Sequence, residues 1–232
     1  MRDPGYVDSY RGPTLATATS SGLQTKVWGI LGFAMAFTAV GGFLSSSTGL
    51  GQQFALPATI VMFILSFVIT FARNISPLNI ILTYVFAFAG GVALDGIISV
   101  YVDRGLGGIV FQAAASTVVI TIGMAAYGMM TRRNLSGIGM YLFFGMLGLI
   151  GASIVGMFFG GFGSIFQLVI SVGVALISAI YISYQVNQTR YMEDTMGNAI
   201  IIAVGLYISI YNLFTSLLRI LGMFGGGSRS RD

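Results

Sequence analysis

The sequence contains no cysteine and no histidine. Without cysteine there are no disulfides, although that alone does not identify a compartment. Without histidine, the side chain that ordinarily changes charge near neutral pH is missing. Charge is scarce as well. Only 8% of residues are Asp, Glu, Lys or Arg, against about 25% in an ordinary soluble domain. So few charges cannot cover a soluble protein of this size. Signatures of catalysis are also lacking. There is no nucleophile–base pair and no metal-ligand spacing. Gly160-Gly-Phe-Gly163 has no basic neighbour that would make it a phosphate-cradling loop. Soluble-type enzymology is excluded on these grounds, and neither a cofactor nor a bound metal is expected.

What the chain has instead is apolar. Of 232 residues, 56% are hydrophobic and 33 are glycine. In a soluble helical protein that much glycine would be a liability, but small residues let membrane helices approach closely. The reading is an all-α integral membrane protein in contact with the lipid bilayer. A bilayer core needs about 20 apolar residues per helix. That ruler gives seven spans: 27–46, 54–72, 78–101, 108–130, 137–159, 165–184 and 198–221. The loops are short, so consecutive helices should be antiparallel neighbours. Residues 26–222 form one seven-helix transmembrane domain. Residues 1–25 are polar and lack the basic-then-apolar pattern of a cleaved signal, so a polar N-terminal tail and an uncleaved first helix are expected. Residues 223–232 read as a disordered basic tail.

Basic residues set orientation. With the N-terminus inside, Arg2, Arg11, Lys26, Arg73, Arg132, Arg133 and Arg190 lie inside, and Arg104, Arg219, Arg229 and Arg231 outside. An inside N-terminus is favoured. The basic tail is discordant, and a re-entering last segment is the alternative. The net charge of +4 is spread singly between spans and does not suggest nucleic acid.

Three spans carry polar stripes. In the seventh, Gly205, Ser209, Asn212, Ser216 and Arg219 fall within about 80° on a helix. In the sixth, Gln167, Ser171, Ser178, Tyr181 and Gln185 share a side, as do Gln112, Ser116, Gly123 and Tyr127 in the fourth. Such stripes either make interhelical hydrogen bonds or converge on a polar interior. In the fifth span, Gly148, Ala152, Gly156 and Gly160 form a ladder expected to pack tightly against a neighbour. Asp95 lies about 9 Å inside the outer end of the third span. A charge at that depth is costly unless paired or wet. It can pair with Arg219, sit protonated against a neighbouring hydroxyl or carbonyl, or serve an ion or proton. The other acids, Asp103, Glu193 and Asp194, fall in loops and are expected to be solvated.

Three segments resemble the Bax inhibitor family, also called the transmembrane Bax-inhibitor-motif family. They are Thr131-Arg-Arg-Asn-Leu-Ser-Gly137, Tyr184-Gln-Val-Asn-Gln188 and Gly205-Leu-Tyr-Ile-Ser-Ile-Tyr-Asn-Leu-Phe-Thr-Ser-Leu-Leu-Arg-Ile-Leu-Gly222. Their order and spacing carry the likeness. It implies a seven-helix bundle with the last helix central, in a bacterial-type member of the cytoplasmic membrane. It also implies a pH-sensitive calcium leak attributed to two aspartates on the sixth and seventh helices, with an arginine from the second helix able to latch one of them. Eukaryotic relatives are associated with suppression of cell death, and some bacterial ones with a membrane-bound protease.

The sequence departs from that pattern where the aspartates should be. Gln185 and Ser209 occupy the two positions, and neither titrates. Arg73 stands at the latch position with only an amide to meet. Calcium prefers several oxygens including carboxylates, and none remains there. Two functions stay open: a calcium or other cation leak through a polar path involving Gln185, Ser209, Asn212, Arg73, Asp95 and Arg219, or a non-transporting protein that regulates or stabilises another membrane protein.

Overall fold

The computed structural model describes residues 21–49, 51–158 and 163–225. The expected tails, Gly160 and the outermost arginines lie largely or wholly outside them. Seven helices follow one another: α1 (Ser21–Thr48), α2 (Gly51–Ala72), α3 (Leu78–Asp103), α4 (Gly107–Met130), α5 (Gly139–Phe158), α6 (Ser164–Gln188) and α7 (Met196–Gly225). A 3-10 turn at Ser136–Ile138 leads into α5. All seven helices are long and apolar enough to cross a membrane. Among the described residues there is no strand.

Two glycines end helices where the backbone must turn left-handed. Gly49 has φ 68° and closes α1. Gly105 has φ 72°, and its N–H reaches the Val102 carbonyl while that of Leu106 reaches Tyr101, 2.9 Å each. That pairing is a Schellman motif, which satisfies the last carbonyls of α3.

The last helix is central, as the polar face of its sequence implied. α7 touches α1, α2, α3, α4 and α6, and 56% of its apolar window is buried, against 6% for α5. The remaining helices form two groups. α1 and α2 both pack on α3, and α4 and α5 both pack on α6; contact between the groups is confined to α3 and α4. Consecutive helices are therefore not always neighbours. α4 and α5 do not touch, and α1 barely meets α2. Close packing comes from glycine rather than from chain order.

Those approaches are backbone to backbone. A Cβ on Gly41 would strike the Phe88 carbonyl, and one on Gly91 would strike the Thr38 carbonyl and lie 2.8 Å from the Gly42 nitrogen. α1 and α3 thus meet with almost nothing between them, which suits lipid, where close contact replaces the hydrophobic drive. Tyr207 of α7 completes this junction. Its hydroxyl lies 2.7 Å from Thr38 Oγ1 and donates to the Ala87 carbonyl at 3.4 Å, occupying the space that Gly90 leaves open. Its ring meets Phe86 edge-on.

The small-residue ladder of α5 is met only in part: Gly156 is buried and Ala152 half-buried. Gly148 is exposed, with nothing within 4 Å of its missing Cβ. α5 instead meets α6 through Gly145 and Leu149, against Ile177 and Gly173.

Both ends of the bundle are tied. At one end Lys26 donates to Asp194 at 2.9 Å, and Asn79 Nδ2 holds the Arg73 carbonyl at 2.8 Å. At the other, Gln52 donates to Asp103 at 3.0 Å. Asp194 and Asp103 are thus partnered rather than merely solvated. α7 runs unbroken to Gly225 at the end opposite Lys26, so no re-entrant turn interrupts it.

Gly91→Ala is expected to force α1 and α3 apart, costing about 1–3 kcal/mol and lowering the unfolding midpoint in detergent. Gly32→Ala, where nothing lies within 4 Å, should leave the midpoint unchanged or slightly raised.

Candidate functional site

α6 and α7 pack antiparallel along most of their length. The Gln185 side chain lies directly on Gly205, where a Cβ would stand 2.8 Å from its Cδ. One turn further along α7, Ser209 Oγ donates to the Gly205 carbonyl at 2.8 Å. Gln185 and Ser209 therefore stand on one seam, one helical turn apart. They do not bond to each other, and Gln185 makes no hydrogen bond among the described residues. Ser209 is satisfied within its own helix, a common resting place for a hydroxyl in an apolar setting.

Counting along the two helices from that contact, Tyr181 comes level with Ser209, Ser178 with Asn212, and Ser171 with Arg219. Ser171, Ser178, Ser209 and Ser216 are all buried. The stripes of α6 and α7 thus share one polar seam. Ser178 Oγ is fully buried and has no hydrogen-bond partner among the described residues. Asn212 is half-buried and Arg219 exposed.

The α4 stripe does not join this seam. Gln112, Gly123 and Tyr127 are exposed, and nothing lies within 4 Å of a Cβ on Gly123. α4 instead turns Ala113, Thr117, Ala125 and Gly128 inward. Gly128 rests on the backbone of Ser183, and Ser183 Oγ donates to the Met124 carbonyl at 2.7 Å. The small face won over the polar one because backbone approach is the stronger drive between membrane helices.

Two other expectations need correction. Asp95 and Arg219 do not pair. Asp95 points at Gly51, the first residue of α2, and Lys26–Asp194 is the only salt bridge among the described residues. α3 approaches α7 near this end through Tyr101, which packs on Gly222. Tyr101 lies six residues past Asp95, on a different side of α3. Arg73 is exposed at the end of α2. Its carbonyl lies 3.0 Å from the Cβ position of Gly197, but its side chain makes no hydrogen bond to Gln185.

Sequence reasoning passed over Asn187. It is completely buried and clasps the α4–α5 loop. Its Oδ1 accepts from the Leu135 N–H at 2.9 Å. Its Nδ2 donates to the carbonyls of Arg133 at 3.2 Å and Gly128 at 3.4 Å. Arg190 adds a bond to the Thr131 carbonyl at 3.0 Å. Thr131–Gly137 and Tyr184–Gln188, separate in sequence, are one structural unit. Asn187 stands between two other amides, Gln185 and Gln188, and nothing in the local sequence singles it out.

Seven apolar helices around a central last one, with a polar seam between the sixth and seventh, define a polytopic helical membrane protein. The chain belongs to the Bax inhibitor family: the family model described as "Inhibitor of apoptosis-promoting Bax1" matches residues 20–226. It is 38% identical over 117 residues to an uncharacterized protein of Pseudomonas aeruginosa, covering 50% of this chain and 51% of that one. An uncharacterized protein of Helicobacter pylori is 32% identical over 116 residues, covering 50% and 48%. An uncharacterized membrane protein of Streptococcus pyogenes is 31% identical over 118, covering 49% and 51%. The chain spans about half the length of the curated relatives it matches.

Asn187→Ala should free the 131–135 loop. Leaving its buried partners unsatisfied costs about 1–3 kcal/mol, so limited trypsin cleavage at Arg132–Arg133 is expected to speed up about 5- to 150-fold. Gln185→Ala should leave that loop protected.

Proposed function

We propose that this protein is a non-enzymatic cation leak of the Bax inhibitor type, with a path that follows the α6–α7 seam and carries no carboxylate pH switch. The observation that carries the reading is the shared burial of the α6 and α7 polar stripes, with Ser178 Oγ unpartnered inside the seam. A buried hydroxyl in an apolar surround favours a polar guest. Gln185 on Gly205 narrows the seam near one end.

The missing aspartates set the character of such a path. Two close carboxylates would share a proton and titrate as a pair. An amide and a hydroxyl do not titrate in the accessible range. They also offer calcium only neutral oxygens, which favours weak selectivity over tight divalent binding. The orientation follows the same charge logic as in the sequence. Lys26, Arg73, Arg132, Arg133 and Arg190 gather at the end where α1 begins, against Arg104 and Arg219 at the other. That supports an inside N-terminus, and the bacterial relatives support a bacterial cytoplasmic membrane.

A second reading has its own support. The exposed polar stripe of α4 and the thinly packed α5 suit a protein that regulates or stabilises a membrane partner, because Gln112 gains little from lipid.

The test is cation and calcium flux into dye-loaded proteoliposomes at about pH 7 and about pH 5, a range that brackets a raised carboxylate titration. The parent protein is expected to leak at the same rate at both. Replacing Gln185→Asp and Ser209→Asp together should make the leak acid-sensitive. Absence of flux at either pH, in protein that is folded by its unfolding transition, would overturn the leak and favour the partner reading. That second reading predicts stable co-purification with a membrane complex.

A further inference from the structure

The one acidic side chain within a span lies far from the α6–α7 seam. Asp95 belongs to α3, about 12 Å inside the helix end at Asp103. Its carboxylate reaches across to the start of α2. A Cβ on Gly51 would overlap Asp95 Oδ2 and lie 2.9 Å from Cγ. The same Cβ position is 3.0 Å from Ser45 Oγ of α1. Glycine at 51 is thus what allows the carboxylate and the hydroxyl to converge on one point.

Neither group is satisfied by the protein. Ser45 is 6% exposed, and its Oγ is buried without a hydrogen-bond partner. Asp95 has no hydrogen bond and no ion pair among the described residues. Ser45 Oγ can accept from a protonated Asp95, so a neutral carboxyl is the arrangement with which a cation competes here.

Helix ends do not settle it either. The start of α2 carries a partial positive charge, but α1 ends only a short turn away with the opposite partial charge. The two offset one another. The half-buried carboxylate is left without a compensating charge from the protein. A small cation would answer both deficits, since it draws on the carboxylate and the serine hydroxyl together. A single carboxylate suits one positive charge; calcium usually takes six to eight oxygens with several carboxylates among them. Among the described residues no three acidic or other metal-ligating side chains come together.

We propose that Asp95 and Ser45, meeting over Gly51 where α1, α2 and α3 join, bind a monovalent cation of the sodium class. The site is separate from the α6–α7 seam and does not rest on the leak reading.

The test uses the full chain in lipid nanodiscs, with radiolabelled sodium binding and thermal unfolding in sodium chloride or choline chloride at equal ionic strength. Saturable sodium binding and a higher midpoint in sodium are expected, because a ligand that binds only the folded state stabilises it. Asp95→Asn should abolish both. Ser45→Ala, which removes one oxygen, should weaken binding about tenfold and still fold. Equal midpoints in the two salts without saturable binding would overturn the site, as would sodium dependence that survives Asp95→Asn. Should Asp95→Asn fail to fold, unchanged sodium affinity in Ser45→Ala would overturn it instead. A larger stabilisation by calcium than by sodium would overturn the monovalent assignment.

Discussion

α1, α2 and α3 form one packed group and α4, α5 and α6 another, and the two groups barely touch except through α7. Everything else depends on that helix fitting between them. It does so with different chemistry on each side. Toward α1 and α3 it presents Tyr207, whose hydroxyl finds Thr38 and the Ala87 carbonyl in the gap over Gly90. Toward α6 it presents Gly205 and a run of hydroxyls. Few single helices must satisfy a bulky aromatic contact and a polar one within two turns. Leu206 and Tyr207 are almost wholly buried beside Gly205 because both demands fall there.

Much of this arrangement was legible in the sequence. Hydropathy and length gave seven spans, with ends shifted by a few residues. Helical periodicity gave the polar faces of α6 and α7, and the excess of polar groups in an apolar span marked α7 as central. The same method assigned the wrong surroundings to α4. Periodicity says which residues share a face, and it does not say which face turns inward. In α4 the small side, with Ala113, Thr117 and Gly128, allowed the closer approach, so the polar side was left outside. The α5 ladder holds only in part for a related reason. Small residues permit contact, but Gly148 meets nothing. Asp95 and Arg219 share an end of the bundle, yet depth alone does not bring two side chains together when Asp95 faces α2 and another side of α3 meets α7.

The site residues divide along the same line. Gln185 and Ser209 share one seam, a turn apart, because the motifs that hold them are fixed by helix packing whatever their side chains are. Asn187 shows how firmly: it binds three backbone groups of another segment from full burial. The scaffold around Gln185 and Ser209 is therefore kept by interactions that involve neither of them. The side chains at those two positions set what the seam can attract while the helices that form it stay in register.

The central position of α7 also has a consequence for synthesis. A membrane chain is delivered from its N-terminus, so the helix that joins the two groups is the last to arrive. Until it does, Thr38 lacks Tyr207, and Gln185 has no glycine to lie on. The glycine-faced surfaces of α1 with α3 and of α4 with α6 can join early, since neither needs α7. Assembly then proceeds as two preformed halves closing on a latecomer, and a nascent chain halted before Met196 would be inserted but not yet folded.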